Sequence, residues 1–495
     1  MTNQKSARFW EILPGASVWL TFAVLLFLSL RAPIVVAFFI LFYDLYWVLK
    51  IIYLFFHLHS SFLKMRENEK VNWISRLQND FGSRWERIHH LVILPAYKES
   101  GRVIRETINT LANANYAKSH LLIVLATEER GGDEDFHVAE KIREEFEKIF
   151  GNFIVTRHPS GVPGEIPGKG SNEAWAIKSA LPKLTQLNDI QEEDVLVTVF
   201  DVDTQPGLEY FGVLTHAFLS APEPMRASFQ PIPLFINNLY DASMLARLTG
   251  LSTSFWQLVQ QSRIEQLVTF SSHSMPLQAL REIGFWERDI VSEDSRIFFQ
   301  CLNHYNSNWR TVPLHYPVYM DAVYGQSFWE SIKNIYFQQR RWGWGVENIS
   351  RFIRDVSKNP KFPFLKKLSW FWRLYSGFYS WAASSFIIFI FGWTPLILGG
   401  REFQGSVLAS NIPKITGGIL NFSMIGFVGL AFVGFLLMNP KLKNFRLRHY
   451  ALYGLQWILT PITTIFLGSL PALDAQTRLM FGGRFRLGFW RTPKE

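Results

Sequence analysis

Apolar segments at both ends of the chain most constrain how it can fold. Residues 14–31 and 33–57 each read as a membrane-spanning helix, because about 20 apolar residues cross a bilayer. Three further hydrophobic segments follow Pro363, at residues 369–398, 416–438 and 450–470. We therefore expect the following division: two transmembrane helices at 1–60, a polar domain with interfacial helices at 61–365, transmembrane helices at 366–475, and a basic tail at 476–495.

The distribution of basic residues predicts the orientation. The loop 439–449 carries four Lys or Arg residues, which predicts that it is cytosolic, and the polar domain with it. A fifth crossing at 450–470 would place the basic tail on the opposite side, but Pro461 and Pro471 interrupt this segment, so a re-entrant path is an alternative. We favour a cytosolic C-terminus and leave open four or five crossings of an inner or plasma membrane.

Composition excludes several classes of protein. The chain is 48% hydrophobic and 18% charged, which is too apolar for an ordinary soluble protein, and its net charge is +9. Basic residues flank the apolar segments, so anionic headgroups explain the charge and we expect no nucleic-acid partner. Cys301 is the single cysteine, which excludes an intramolecular disulfide framework. Ala16–Leu30 lacks a small-residue cleavage site, so we interpret it as an anchor.

Apolar runs alternate with helical patterns in the polar domain. Buried strands are expected at four places: Leu91–Leu94, Leu121–Ala126, Phe153–Thr156 and Val195–Phe200. Helical patterns such as Val103–Ala114 and Phe136–Phe150 lie between them. This alternation predicts an α/β, Rossmann-like domain with a mostly parallel sheet and helices on both faces.

Asp201 and Asp203 follow the last of these strands directly. Ligands of such sheets bind beyond the carboxyl ends of the strands. Paired carboxylates there offer oxygen ligands to a hard divalent cation, which usually also carries a diphosphate. A solvated turn is the alternative interpretation.

Three other clusters complete an ordered set. Ile93–Glu99 lies at a strand end, Ser292-Glu293-Asp294 suits the first turn of a helix, and Gln338-Gln-Arg-Arg341-Trp342 follows. On a helix, Gln338, Arg341 and Trp342 share one face, where Trp can stack on a sugar and Arg can bind phosphate. An interfacial helix facing lipid headgroups is the alternative.

The four clusters, their order and the flanking apolar segments resemble the membrane-embedded family-2 glycosyltransferases of GT-A fold. Cellulose, chitin and hyaluronan synthases belong to this family, and ceramide glucosyltransferase is a relative. The resemblance covers about residues 88–345 and the closing segment 489–494. It implies that Asp203 coordinates Mg²⁺ or Mn²⁺, that Asp201 faces the donor, and that Asp294, with Glu293 as a partner, is the general base.

The same resemblance assigns the binding residues. Arg341 would contact the diphosphate, and Trp342 would form the floor of the acceptor site with Gln338 beside it. The loop Pro167–Asn172 resembles the lysine-containing loop of the family, so Lys169 would approach the donor phosphate. A flexible surface loop is the alternative for this segment.

The chain departs from the family pattern at three places. Glu128 stands where an Asp usually reads the nucleobase, Lys98 replaces the usual Asn before Glu99, and His273 occupies the acceptor-side segment. Glu99 and Glu128 are expected to contact the donor. His273 would line the acceptor site or would be a structural histidine.

The resemblance implies an inverting transfer from a UDP- or GDP-sugar to a growing polysaccharide, processive and coupled to export. Transfer of one sugar to a membrane lipid is the alternative. Outside this class, the chain would be a non-catalytic nucleotide-sugar-binding membrane protein. A second subunit is left open.

Overall fold

A computed structural model describes residues 2–184, 190–437 and 453–492. Two long helices begin the chain, α1 (Thr2–Arg31) and α2 (Pro33–Asn68), and Ala32 alone separates them. The boundary between the predicted segments 14–31 and 33–57 therefore coincides with the boundary between the two helices. Helix α2 is longer than expected, because it continues through charged residues that we had assigned to an interfacial segment.

A mixed sheet of eight strands forms the core of the polar domain. The strands are β1 (His89–Pro95), β2 (Leu121–Glu128), β3 (Asn152–His158), β4 (Val195–Val199), β5 (Gln205–Pro206), β6 (Ala227–Phe235), β7 (Ser274–Pro276) and β8 (Arg310–Met320). Their order is β3-β2-β1-β4-β7-β6-β8-β5. Strands β7 and β5 are antiparallel to their neighbours, and the other pairs are parallel. The carboxyl ends of the six remaining strands therefore meet at one edge.

Helices pack on both faces of this sheet. They are α3 (Trp73–Phe81), α4 (Gly101–Asn113), α5 (Asp133–Phe146), α6 (Lys169–Leu184), α7 (Tyr210–Ser220), α8 (Met244–Gln261), α9 (Leu277–Glu282), α10 (Glu293–His304), α11 (Phe328–Gly343) and α12 (Glu347–Lys358). Side chains of β1 alternate between two cores, as successive residues of a strand must. Val92 packs with Ile104 of α4, whereas Ile93 packs with Ile177 of α6.

The C-terminal apolar helices are α13 (Phe364–Phe389), α14 (Thr394–Leu398), α15 (Gly400–Gln404), α16 (Val407–Leu437) and α17 (Tyr453–Phe481). By length and composition, α1, α2 and α17 can cross a membrane, and α13 with the helix after it forms a broken span bent by 41°. The predicted segment 416–438 lies in α16 except for its last residue. The basic loop 439–449 is outside the described residues.

The mixed α/β domain between N- and C-terminal apolar helices confirms the predicted fold class. Its first four strands lie at the predicted positions, with ends that differ by at most two residues. Strand β4 ends where Asp201 and Asp203 follow, so both residues lie at the carboxyl edge of the sheet.

Candidate active site

The side chain of Lys169, the first residue of α6, joins two of the predicted clusters. Its Nζ atom lies 2.9 Å from Oδ1 of Asp201 and 2.9 Å from Oδ1 of Asp294. Only 8% of the lysine side chain is exposed, whereas the two aspartates are about one quarter exposed. The carboxylate after β4 and the carboxylate at the start of α10 therefore face one site.

Local structure explains why Asp294 reaches this position. Helix α10 begins at Glu293, so Glu293 and Asp294 occupy its first turn, as the sequence predicted. Ser292 precedes the helix, but its hydroxyl does not cap the helix and instead donates to Oε1 of Glu347 (3.1 Å). Thr269 donates a hydrogen bond to the backbone carbonyl of Asp294 and fixes this turn from outside.

The lysine is held as a cation. Burial lowers the pKa of Lys169, but the carboxylates of Asp201 and Asp294 outweigh burial, and the pKa is raised well above its ordinary value. Burial, and then the charge of Asp294, raises the pKa of Glu293, which is 2% exposed. The site therefore contains one ammonium group among more acidic groups than it can balance.

Glu173 is a member of this cluster that sequence reasoning missed. Its side chain is completely buried, neither carboxyl oxygen has a hydrogen-bond partner within the described parts of the chain, and one of them lies 3.6 Å from Nζ of Lys169. Burial raises the pKa of this carboxyl well above its ordinary value. One sequence signal could have identified Glu173: it lies four residues after Lys169 on the same helix, so the two side chains share a face. The residues that follow, Ala174 and Ala176, pack into the core.

Ligand oxygens of Glu173, Glu293 and Asp294 all lie within 4.8 Å of one another. Among the described residues, these three acidic side chains are close enough together to hold a metal ion. Asp203 is not one of them. Asp203 is 3% exposed, and its Oδ2 accepts a weak hydrogen bond from the backbone N–H of Asp321 (3.4 Å). The role of Asp203 as metal ligand stays a prediction.

His273 lies beside the predicted base. The ring is completely buried, and its Nδ1 is 2.9 Å from the carbonyl oxygen of Phe270 and 4.0 Å from Oδ1 of Asp294. Burial lowers the pKa of His273, so the ring is neutral near pH 7. Its Nε2 has no hydrogen-bond partner among the described residues. The histidine is thus both a buried residue and a neighbour of the site.

Glu99 and Glu128 lie near the ends of neighbouring strands, β1 and β2. Glu128 is 5% exposed and accepts a hydrogen bond from Nε of Arg130 (2.8 Å), and burial raises the pKa of its carboxyl despite this partner. Arg130 in turn lies over the ring of Tyr97, 4.6 Å from its centroid. Glu99 is 6% exposed and lies 3.5 Å from Nε of Arg491.

Gln338, Arg341 and Trp342 lie on α11, as predicted. The Trp342 ring packs against Phe235 at the end of β6, with centroids 5.9 Å apart. Burial raises the pKa of Glu293, and the positive charge of Arg341 partly opposes this shift. Gln338 donates a long hydrogen bond to Thr492 (3.5 Å).

The end of the described chain returns to this site. Phe489 lies under the guanidinium group of Arg341, 5.1 Å away, and a Cβ atom on Gly168 would meet its ring at 2.7 Å. Arg491 donates to the backbone carbonyl of Tyr97 (2.9 Å). The tail and the α/β domain therefore lie on the same side of the apolar helices.

Comparison with known proteins identifies the family. A family model described as "Glycosyl transferase family group 2" matches residues 196–472, which is more than half of the chain. No curated protein matches the chain.

Two solved structures are similar at low identity. One is the mannosyltransferase PcManGT from Pyrobaculum calidifontis in complex with GDP-Man and Mn²⁺, at 13% identity and a TM-score of 0.38, covering 82% of this chain and 99% of that chain. The other is TarS 1-349 from S. aureus in complex with UDP-GlcNAc, at 15% identity and a TM-score of 0.38, covering 70% of this chain and 91% of that chain. These likenesses are too distant to carry an argument about substrate. The family match itself shows that this chain belongs to glycosyl transferase family group 2 and is a glycosyltransferase.

Proposed function

We propose that the chain transfers a sugar, with inversion, from a UDP- or GDP-sugar to an acceptor hydroxyl at the membrane surface. One observation carries the proposal: the ammonium group of Lys169 contacts both Asp201 and Asp294. Two acidic motifs that lie far apart in the sequence are thus brought to one partly open site. A donor and an acceptor can meet there.

Asp294 is the proposed general base. Its carboxylate takes the proton of the acceptor hydroxyl while that oxygen forms a bond to the anomeric carbon. The bond from this carbon to the diphosphate oxygen breaks on the opposite face, and its electron pair leaves with the nucleotide diphosphate. A positioned base contributes roughly 10²–10⁴-fold to such a step. His273, at 4.0 Å, and Glu293 would hold the base in place.

The residues of the site fit a divalent cation. All candidate ligands are carboxylate oxygens, which suit Mg²⁺ or Mn²⁺, and the buried oxygens of Glu173 have no hydrogen-bond partner in the part of the chain that the structure describes. When bound, such an ion stabilises the charge on the leaving diphosphate. Asp203 is the predicted ligand, and the group that includes Glu173 is a second set of candidates.

Other residues are proposed to position the substrates. Glu99 and Glu128, near the ends of β1 and β2, would contact the nucleoside. Arg341 would bind the diphosphate, and Lys169 would turn to it from Asp294. The Trp342 ring would form the acceptor floor beside Gln338, because aromatic faces stack on the apolar faces of sugars.

We propose that the acceptor is a growing polysaccharide. Three rings of α13 stack in sequence, with centroids 5.7 Å apart for Phe371 and Tyr375 and 6.0 Å apart for Tyr375 and Tyr379. Such a stack of aromatic rings suits a path for a glycan through the membrane. Transfer of a single sugar to a lipid is the second candidate, and the small number of candidate spans among the described residues, three or four, favours it.

The proposed placement is a multi-pass membrane protein with its α/β domain and tail in the cytosol. The contact between Arg491 and the carbonyl of Tyr97 supports a shared side for the two.

Incubation of the purified full-length chain with labelled UDP- and GDP-sugars, each with Mg²⁺ and with Mn²⁺, tests the proposal. We expect turnover of one donor, and product sizing then separates the acceptors. A polymer ladder supports the first candidate, whereas lipid that carries one sugar supports the second. No turnover of any donor, with any metal, would refute the proposed function.

A further inference from the structure

A cavity of about 640 Å³ lies beside the end of β8, where Tyr319 and Asp321 line it. The last turns of α2, the start of α4 and the carboxyl ends of β6 and β8 form its walls. None of Lys169, Asp201 and Asp294 lines it. It adjoins the candidate active site through Asp321, whose backbone N–H contacts Asp203. Its size suits one or two sugar units.

The charges on its walls decide which ligands it can take. Two arginines and four carboxylates give the lining a formal charge of −2: Arg66, Arg102, Glu69, Glu106, Asp241 and Asp321. The arginines are already paired within the lining, Arg66 with Glu69 at 3.0 Å and Arg102 with Glu106 at 3.4 Å. A phosphate or diphosphate would therefore be repelled, whereas a neutral ligand would not be.

Polar groups of the lining are set to bind hydroxyls. Nδ2 of Asn237 is buried and has no hydrogen-bond partner among the described residues. The neighbouring Asn238 is fixed by Ala322, which donates its backbone N–H to Oδ1 (2.7 Å) and accepts from Nδ2 (2.9 Å). Tyr319 donates its hydroxyl to Glu69 (3.0 Å). A turn of the Asn237 side chain toward the cavity would bring this amide donor to a ligand hydroxyl, which would satisfy it.

Apolar side chains complete the walls of the cavity. Met65, Leu234, Ile236 and Leu437 present hydrocarbon surface suited to the C–H face of a sugar ring. Ile236 directly follows Phe235, whose ring packs on the predicted acceptor residue Trp342.

We propose that this cavity binds neutral sugar units of the acceptor, next to the unit that receives the new sugar. The inference rests on the proposed function, which it deepens by naming the acceptor chemistry and its binding site. The sugar can belong to a polysaccharide or to the headgroup of a glycolipid, since both present the same ring and hydroxyls. The donor diphosphate is excluded by charge.

Binding measured without donor tests the site independently of catalysis. Full-length protein in nanodiscs is titrated with cellobiose, chitobiose and mannobiose, and separately with pyrophosphate. Asn237→Leu keeps a similar size but removes the amide, and we expect the dissociation constant of the bound disaccharide to rise on the order of tenfold. Asn308→Leu, which changes an exposed asparagine outside the cavity, is the matched control and should leave binding unchanged.

A second variant, Asp241→Asn, removes one exposed carboxylate of the lining and guards against a folding defect in Asn237→Leu. Pyrophosphate should not compete with the disaccharide at the cavity. In a second arm, octyl glycosides are added to the nanodiscs as competitors of the disaccharide. A glycoside that binds more tightly than the free sugar indicates a lipid headgroup. A free sugar that binds more tightly than the glycoside indicates a polysaccharide.

Equal disaccharide affinity in wild type and both variants would overturn the proposed site, as would the absence of disaccharide binding in the wild type. Donor turnover is measured on the same preparations. Loss of disaccharide binding in Asn237→Leu supports the sugar site even if no nucleotide sugar is turned over. The absence of turnover would refute the proposed function but not the sugar site.

Discussion

Lys169 Nζ lies 2.9 Å from Oδ1 of Asp294 and 3.1 Å from its Oδ2, so a buried cation covers both oxygens of the predicted base. The same ammonium contacts Asp201. In this arrangement the base is occupied by an ion pair. Transfer therefore requires the lysine to turn toward another anion, and the donor diphosphate is the anion that the proposed reaction supplies.

Asp294→Asn should abolish sugar transfer and preserve donor binding. The amide keeps the shape of the side chain but cannot take a proton, so we expect the rate to fall by roughly 10²–10⁴-fold. Transfer is measured with labelled donor, and donor affinity by titration with the nucleotide diphosphate.

Asp289→Asn is the matched control, since Asp289 precedes the same helix and its side chain is 58% exposed. It should leave the rate within about twofold of the wild type. Loss of donor binding in Asp294→Asn, with retained turnover of bound donor, would assign Asp294 to binding and not to proton transfer.

Lys169→Met should destabilise the protein and slow transfer. Removing one partner of a buried ion pair costs roughly 3–5 kcal/mol, and we expect less here because Asp201 and Asp294 are 25% and 26% exposed. The loss should be smaller in acid, where the remaining carboxylates become protonated. Thermal unfolding at several pH values measures it.

The pKa of Lys169 is raised above its ordinary 10.5, so protonation of the lysine itself adds no pH dependence to the stability of the wild type near neutral pH. On the alkaline side its contribution is lost as the pH rises through the folded-state pKa, and on the acid side it weakens as the carboxylates around it are protonated. Lys178→Met, an exposed lysine of the same helix, is the control. A Lys169→Met protein as stable as this control at pH 8 would contradict the electrostatic account.

The sequence predicted the fold well because its signals are local. Apolar runs place β1 to β4, and the apolar ends of the chain place the long helices. Strand β7 pairs antiparallel between β4 and β6, and nothing in Ser274–Pro276 predicts this, since the pairing depends on distant partners. The length of α2 was likewise missed, because its end contacts β8 through Asn68, whose amide donates to the carbonyl of His315 (3.2 Å).

The candidate site was predicted only where a motif exists. Asp201 and Asp294 lie in motifs, and both are in the cluster. Glu173 lies in none, and its importance arises from complete burial, which a single sequence does not reveal. The contact of Lys169 with carboxylates, where a phosphate was expected, is also a tertiary property.

Two variants distinguish the candidate metal ligands. If Asp203 holds the ion, Asp203→Asn should weaken Mn²⁺ binding at least about tenfold, because a charged ligand is lost. If the buried cluster holds it, Glu173→Gln should have the larger effect. Mn²⁺ affinity is measured by electron paramagnetic resonance without donor and with the nucleotide diphosphate.

Asp80→Asn is a control for loss of a surface carboxylate, because Asp80 is 43% exposed and pairs with Arg76 outside the site. Unchanged Mn²⁺ affinity in both Asp203→Asn and Glu173→Gln would exclude both positions as ligands.

Arg491→Gln should release the tail from the site and weaken donor binding. The guanidinium group donates to the backbone carbonyls of Tyr97 (2.9 Å) and Lys98 (2.5 Å) and lies 3.5 Å from Glu99. Lys98 has a φ of 55°, in the left-handed region that a non-glycine residue adopts only when its surroundings hold it there. Without the arginine, this turn loses two hydrogen bonds and the buried carboxylate of Glu99 loses a cationic neighbour. We expect faster proteolysis within the tail and a several-fold higher KM for the donor, whereas Arg484→Gln, which changes an exposed arginine of the same tail, should alter neither.

Unchanged donor KM together with faster proteolysis would show that the tail packs on the domain without helping to bind the nucleotide sugar.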